Sequence, residues 1–407
     1  MKRTWKLLCG LAAAVFVVIA VFFAWIQTVA SRRWAELEAR VPVLIAEARA
    51  RDPRRPPRSG EAVPGNAWTE YSQALTAIKA LNAADLGSFV ARDLKADRAK
   101  AEAAVAAYEA NLAFLAAGAR RAEGTYPYAF EKGFAADMPG LLETQKLANL
   151  AVSKARLLAE AGKGKEAMEL VLDLLWCAAD QGRNTVVIGE MISSANLALA
   201  LDEIRAMAVD PAVKDVDWTA VGSALMLLDS IWPDHGESLL NESVTAAAGL
   251  GKEDAKALFG EGLGVLSAWR FGFSARLLIA DAMDTHVDAM RRLAAAGRSW
   301  PESERVAKEV AVEVEGSSNP ITRLMTQGMM ATHRVGFERR AQLGLLRMAV
   351  AIRAGAAPPE LDDPFGGKLR SDATKLWSLG QDGDDDGGIG AWRPAQTGDI
   401  VLHLKKK

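Results

Sequence analysis

Three features of the sequence predict a mainly α-helical protein. An unbroken apolar run opens it, Leu7 to Ile26, twenty residues with no charged or strongly polar side chain. Apolar residues then recur at three-and-four spacing over most of the chain up to Arg353, the period of a helix face. Strand-like alternation is scarce until the last forty residues. The expected architecture is an N-terminal transmembrane helix, an antiparallel helical bundle or irregular helical-hairpin array, and a small C-terminal β-containing cap with an acidic loop. The divisions fall at 1–30 (cytoplasmic start and anchor), 31–60 (stalk and linker), 61–355 (all-α body) and 356–407 (cap).

Twenty apolar residues are the length of a membrane-spanning helix, which satisfies its own backbone hydrogen bonds in hydrocarbon. Lys2, Arg3 and Lys6 precede the run, Arg32 and Arg33 follow it, and Trp5 and Trp25 stand near its ends, as the water boundary favours. The rival is a cleaved signal peptide ending at Thr28-Val29-Ala30, but the run is longer than the usual core of such signals. We read an uncleaved, single-pass anchor in a bacterial inner membrane. Basic residues balance across the run, so orientation rests on the ease with which long domains translocate, which puts the bulk of the chain in the periplasm.

With 407 residues, 50% of them hydrophobic, the chain can bury a substantial core. A net charge of -2 gives no reason to expect a nucleic-acid partner. Cys9 and Cys177 lie in the membrane run and in a helical pattern, which excludes a disulfide framework and a cysteine-based metal site.

Beyond the anchor, Trp34, Leu37, Val41, Leu44 and Ile45 extend the helix as a stalk that Pro42 should disturb. Residues 53–60, Pro-Arg-Arg-Pro-Pro-Arg-Ser-Gly, read as a solvated linker, because prolines remove helical donors and arginines hold water. Asn66 caps an amphipathic helix carrying Trp68, Tyr71, Leu75, Ile78 and Leu81. Helices are expected over Leu94–Ala117 and around Leu141–Ala161. After Gly162-Lys163-Gly164 the stripe Ala167, Leu170, Val171, Leu174, Leu175 and Ala178 makes a helical hairpin with the preceding helix. The pair resembles a tetratricopeptide-type unit in shape, without a 34-residue repeat. Further helices follow over Ile188–Leu199, Trp218–Ile231, Val265–Ala296, Glu302–Val314 and Ile321–Arg353. In the cap, Lys375–Leu379 and Asp399–Leu404 are long enough for strands.

The loop between them, Gln381 to Ile389, carries the one constellation with readable chemistry. Asp382, Asp384 and Asp386 alternate and Gly387 permits a bend, so oxygens can face one centre, as a calcium loop requires. Close carboxylates repel by about 1 kcal/mol per pair even in water, a cost that a divalent cation removes. A solvated acidic turn explains the same residues without an ion. An EF-hand is not expected, because Arg393 stands where the bidentate Glu belongs and strand-like pieces flank the loop.

Asp363-Pro364-Phe365-Gly366-Gly367-Lys368-Leu369, then Trp377-Ser378-Leu379-Gly380-Gln381-Asp382-Gly383, Gly387-Gly388 and Gly398-Asp399-Ile400 form a series. It resembles the calcium-binding C-terminal region of the major pseudopilins of bacterial type II secretion, over about forty residues. The resemblance implies Asp382 and Asp399 as side-chain ligands, with backbone carbonyls around Leu379 to Gly387; Asp384 and Asp386 are candidates from spacing alone. The apolar run has no glutamate and no peptidase site like a pseudopilin's, and the helical body is foreign to that family, so assembly into a fibre is not expected. The whole layout is similar to uncharacterised membrane-anchored helical bacterial proteins.

Other polar clusters have plainer readings. Asp234-His235-Gly236-Glu237 with Glu242 reads as a hydrophilic turn between helices; Asp281, Asp284, His286 and Asp288 lie on a predicted helix whose spacing brings Asp281 near Asp284 but sends His286 elsewhere, and an exposed face is the expected account. His333 and Glu338 do not share a helical face, and Gly162-Lys163-Gly164 lacks the rest of a phosphate loop. No catalytic constellation stands out. The expected function is therefore a non-enzymatic, membrane-anchored envelope protein whose body binds an unknown envelope protein or peptide, with calcium stiffening its cap. The alternatives are a membrane-tethered hydrolase whose acidic or metal site forms only in the fold, and an accessory protein linked to type II secretion.

Overall fold

A computed structural model of the protein describes residues 2–81, 98–232, 235–252, 272–297, 299–327, 330–393 and 398–404. The first helix, α1 (Lys2–Arg49), has two different environments along one axis. In the apolar run Phe16 is 72% and Val18 68% exposed, whereas Leu37 and Leu44 are buried. Ala30, Trp34, Leu37, Val41, Leu44 and Ala48 alternate in steps of four and three, a single seam that packs on the body. Pro42 lies on the exposed side of this seam, and the helix continues through it because Leu37 and Leu44 hold both flanks.

The body is a mainly α-helical array. α2 (Trp68–Ile78) starts where the Asn66 side chain accepts the Trp68 N–H at 3.0 Å, as a cap should. The single helix expected over Leu94–Ala117 is instead broken; residues 82–97 lie outside the described set, and α3 (Arg98–Tyr108) gives way to a 3-10 turn before α4 (Ala113–Ala119). The break lets α3 lie on α5 (Glu143–Glu160) while α4 packs on α2 and α6 (Gly164–Gln181). α5, α6 and α7 (Val187–Val209) pack in succession. Gly162, at φ 78°, closes α5: its N–H reaches Ala159 O and the Lys163 N–H reaches Leu158 O, the two bonds of a Schellman cap. Thr144, Gln181 and Asn196 join the three helices through a buried hydrogen-bond network.

Then come α8 (Trp218–Ser230), α9 (His235–Lys252), α10 (Gly272–Ala295), α11 (Trp300–Gly316), α12 (Pro320–Gln327) and α13 (Met330–Arg353). α9 corrects one expectation. Residues from His235 are the first turns of a helix rather than a hydrophilic turn, and Ser238, Leu239 and Asn241 are fully buried. Asp234 lies outside the described residues.

The solvated linker is also corrected. Residues 53–58 are a strap laid on the body, with Arg55 N–H bonded to Ala122 O, Arg58 N–H to Ala119 O, and Gly124 N–H to Pro53 O. Arg55 is buried because it finds a buried carboxylate, Asp180 on α6. A two-stranded parallel sheet, β1 (Val63–Asn66) with β2 (Arg121–Glu123), continues the strap.

The C-terminal cap is a four-stranded sheet in the order β3 (Arg370–Ser371), β4 (Lys375–Ser378), β6 (Asp399–His403), β5 (Gly390–Ala391). β4 and β6 are antiparallel and β5 joins β6 in parallel. Trp300, Phe337 and Phe365 stack the cap on α11 and α13. Trp392 Nε1 donates to Asp202 on α7 at 2.5 Å, and Gln342 Nε2 donates to Trp392 O at 2.6 Å.

Candidate metal centre

The short strands β4 and β6 bring both ends of the acidic loop together. Asp399, first residue of β6, is fully buried, and its Oδ2 accepts the Gly388 N–H at 2.7 Å. Its Oδ1 is buried and, among the described residues, has no hydrogen-bond partner. Burial, with the charges of Asp385 and Asp386, raises the Asp399 pKa. A carboxylate in this state is stabilised by a cation at the unpaired oxygen.

Asp382 bonds to the backbone of the preceding residue, Gly398. Its Oδ2 accepts the Gly398 N–H at 2.8 Å and its Oδ1 faces the Asp384 N–H at 3.4 Å. Asp386 borders the same point, since a Cβ built on Gly398 would fall 3.9 Å from its Oδ2. Asp382 and Asp386 thus both border Gly398, the residue before Asp399. Asp384, exposed like Asp382 and Asp386, meets Asp382 through its backbone N–H. Asp385, which spacing did not single out, is held elsewhere: it accepts from Trp377 Nε1 at 3.1 Å and Gly387 N–H at 3.0 Å and pairs with Arg370 at 2.8 Å. These partners hold its pKa below the usual carboxylate value.

Among the described residues no three carboxylate, imidazole or thiol groups converge as a ready metal cage. The Gly387 carbonyl is already engaged, with that of Gly388, by the Lys375 ammonium at 2.5 and 3.0 Å. That contact marks a pair of oxygens turned toward positive charge. An unpaired, buried carboxylate oxygen such as that of Asp399 is the kind of donor a hard, oxygen-seeking cation takes. Strands flank the loop and Ile389 is 74% exposed, in keeping with a site that is not an EF-hand.

The Asp-Pro-Phe-Gly segment has a structural task beneath this loop. Asp363 accepts from Phe365 N–H, Ser378 Oγ and Leu379 N–H at 2.8–2.9 Å, fixing the strand that leads into the acidic turn. Trp300 Nε1 donates to Gln381 O at 3.1 Å and ties the loop to α11.

The remaining polar clusters go to separate places. Glu190 on α7 reaches His235 Nδ1 at 2.5 Å, and Ser238 Oγ lies 2.6 Å from the same Glu190 oxygen, all in buried surroundings. Glu237 and Glu242 accept the N–H groups of Asn184 and Val187, so they position the turn entering α7. Asp284 holds Arg33 and Arg40, Asp281 accepts from Asn319, and His286 is buried on another face against Thr326. Glu338 pairs with Arg334, and the His333 side chain lies outside the described residues. The Glu190–His235 pair was missed because its members come from a helical stripe and a presumed turn. Comparison with protein-family models, curated proteins and solved structures finds no match to this chain.

Proposed function

We propose that this chain is a single-pass bacterial inner-membrane protein whose periplasmic helical body works by binding another envelope protein or a peptide, and whose cap binds calcium structurally. The carrying observation is α1, an exposed apolar helix long enough to cross a bilayer that continues without a break into the packed seam of the body. An exposed run of that length is favourable only in lipid. α7 supports the binding role by turning Ile188 and Met191, which share a helical face, outward at 46% and 49% exposure. Calcium is supported by the unpaired Asp399 oxygen.

A photo-crosslinking residue at Ile188 or Met191, in cells, tests the binding role. A discrete adduct to an envelope protein or peptide is expected. Absence of any adduct from the body, together with substrate turnover by the purified chain, would overturn it in favour of a tethered hydrolase.

A further inference from the structure

α1 and α10 run side by side in the same direction. Arg276 lies over the Trp34 ring at 5.6 Å from its centroid, Asp284 accepts from Arg40 at 3.0 Å, and Arg291 pairs with Glu47 at 3.6 Å. Numbers rise together on both helices, so they are parallel. Gly272, which opens α10, precedes Asp284 by twelve positions, or about 18 Å at the rise of an α-helix. The same distance back along α1, from the turns where Arg33 and Arg40 hold Asp284, reaches the end of the apolar run near Trp25. The start of α10 is therefore level with the point at which α1 leaves its apolar stretch.

The chemistry there suits phospholipid headgroups. Arg33 and Arg40 are paired with Asp284, and Arg33 with Glu36 as well, whereas Arg276 is exposed and has no carboxylate partner among the described residues. An arginine beside an indole is a pairing favoured at the lipid–water boundary, with the guanidinium free to meet phosphate. The sequence leading into α10 is apolar and aromatic in composition, with Leu266, Trp269 and Phe271. We infer that the membrane-proximal end of the body, Trp34 with the first described turns of α10, is a second bilayer contact at headgroup depth. This rests on α1 being the bilayer anchor.

The test uses the full chain carrying Cys9→Ala and one added cysteine, Thr28→Cys, Leu277→Cys or Glu360→Cys, labelled with an environment-sensitive fluorophore. Each is reconstituted in phosphatidylcholine–phosphatidylglycerol vesicles with or without lipid spin-labelled at the headgroup. Emission is expected to fall at 277, where Arg276 is retained beside the probe, as strongly as at 28 and to persist at 360, in the cap. Quenching at 28 with 277 as bright as 360 would overturn the second contact and leave the anchor standing. No quenching at 28 would overturn the anchor, and the contact with it.

Discussion

Arg55 and Asp180, 125 positions apart, form a two-pronged ion pair with neither side chain exposed: Nε to Oδ1 at 2.6 Å and Nη2 to Oδ2 at 2.7 Å. The other guanidinium N–H groups reach the carbonyls of Gly118, Ala119 and Arg121, and Tyr71 donates to Asp180 at 3.0 Å. Burial, the largest single influence, would lower the Arg55 pKa, but the charge and hydrogen bonds of Asp180 together with Tyr71 outweigh it and the net shift is upward, so the arginine stays cationic. Gly124 permits the approach, since a Cβ there would fall 1.9 Å from Asp180 Oδ1. The pair fastens the strap after α1 to the core of the body.

Removing one partner should expose that dependence. Arg55→Ala leaves a buried carboxylate with Tyr71 alone, and a loss of about 3–5 kcal/mol is expected in chemical denaturation. Arg55→Lys should recover only part, because an ammonium cannot reproduce the planar fork. Wild-type stability in both variants would show that the strap is not fastened through this pair.

Two buried groups give opposing pH dependences. Burial lowers the His286 pKa to about 4, so between that value and 6.5 the unfolded chain holds more protons and stability rises with pH, by about 3 kcal/mol in all. Burial, opposed by Arg58, raises Asp173 to about 6. There the folded chain holds more protons above an unfolded value near 4, and stability falls as pH rises toward 6, by a similar amount. His286→Gln should remove the acid-side loss and Asp173→Asn the opposing slope. Denaturant midpoints of both variants from pH 4 to 7 check the two signs, and parallel curves for variants and wild type would refute them.

Calcium should stabilise the cap. At a hundredfold excess over its dissociation constant a native-state ligand adds about 2.7 kcal/mol. A melt of the full chain in detergent, with calcium and with chelator, should shift upward with the metal. Asp399→Asn and Asp382→Ala should each abolish the shift, while Asp384→Ala should leave most of it. Equal melts with and without calcium would return the loop to an acidic turn.

Asp363 is expected to matter independently of any ion. Asp363→Ala leaves the N–H groups of Phe365 and Leu379 and the Ser378 hydroxyl without their acceptor, at a cost of about 1–3 kcal/mol for each group that stays dry. Near-ultraviolet circular dichroism of the cap tryptophans should weaken with Asp363→Ala in chelator as well as in calcium. A spectrum unchanged in both would contradict this role.

The helical body and the strand pair of the cap were legible because burial imposes periods of 3.6 and 2 that local sequence carries. The heptad-like seam of α1 was visible as well, yet Pro42 and the Pro/Arg run behind it suggested a free stalk. Composition cannot reveal that Arg55 meets Asp180, because the partner lies far along the chain. One signal was available: Asp173 and Asp180 lie seven apart on an otherwise apolar face of α6, and Arg55 and Arg58 are spaced to meet them. Buried acids on such a face demand cations. In the acidic loop, spacing singled out the alternate aspartates; the fold sets Asp382 and Asp386 beside Gly398, while Asp384 meets Asp382 through its backbone N–H. The second member of the Glu190–His235 pair was hidden by reading the first turns of α9 as a loop.

The most direct test of the central claim is the intact mass and fractionation of the chain made in bacterial cells. An anchor predicts the full-length mass in membranes that resist alkaline carbonate, with the body digested by protease added to spheroplasts. A product released into the periplasm and shortened at Ala30 would identify residues 1–30 as a signal peptide and contradict the membrane-anchored account.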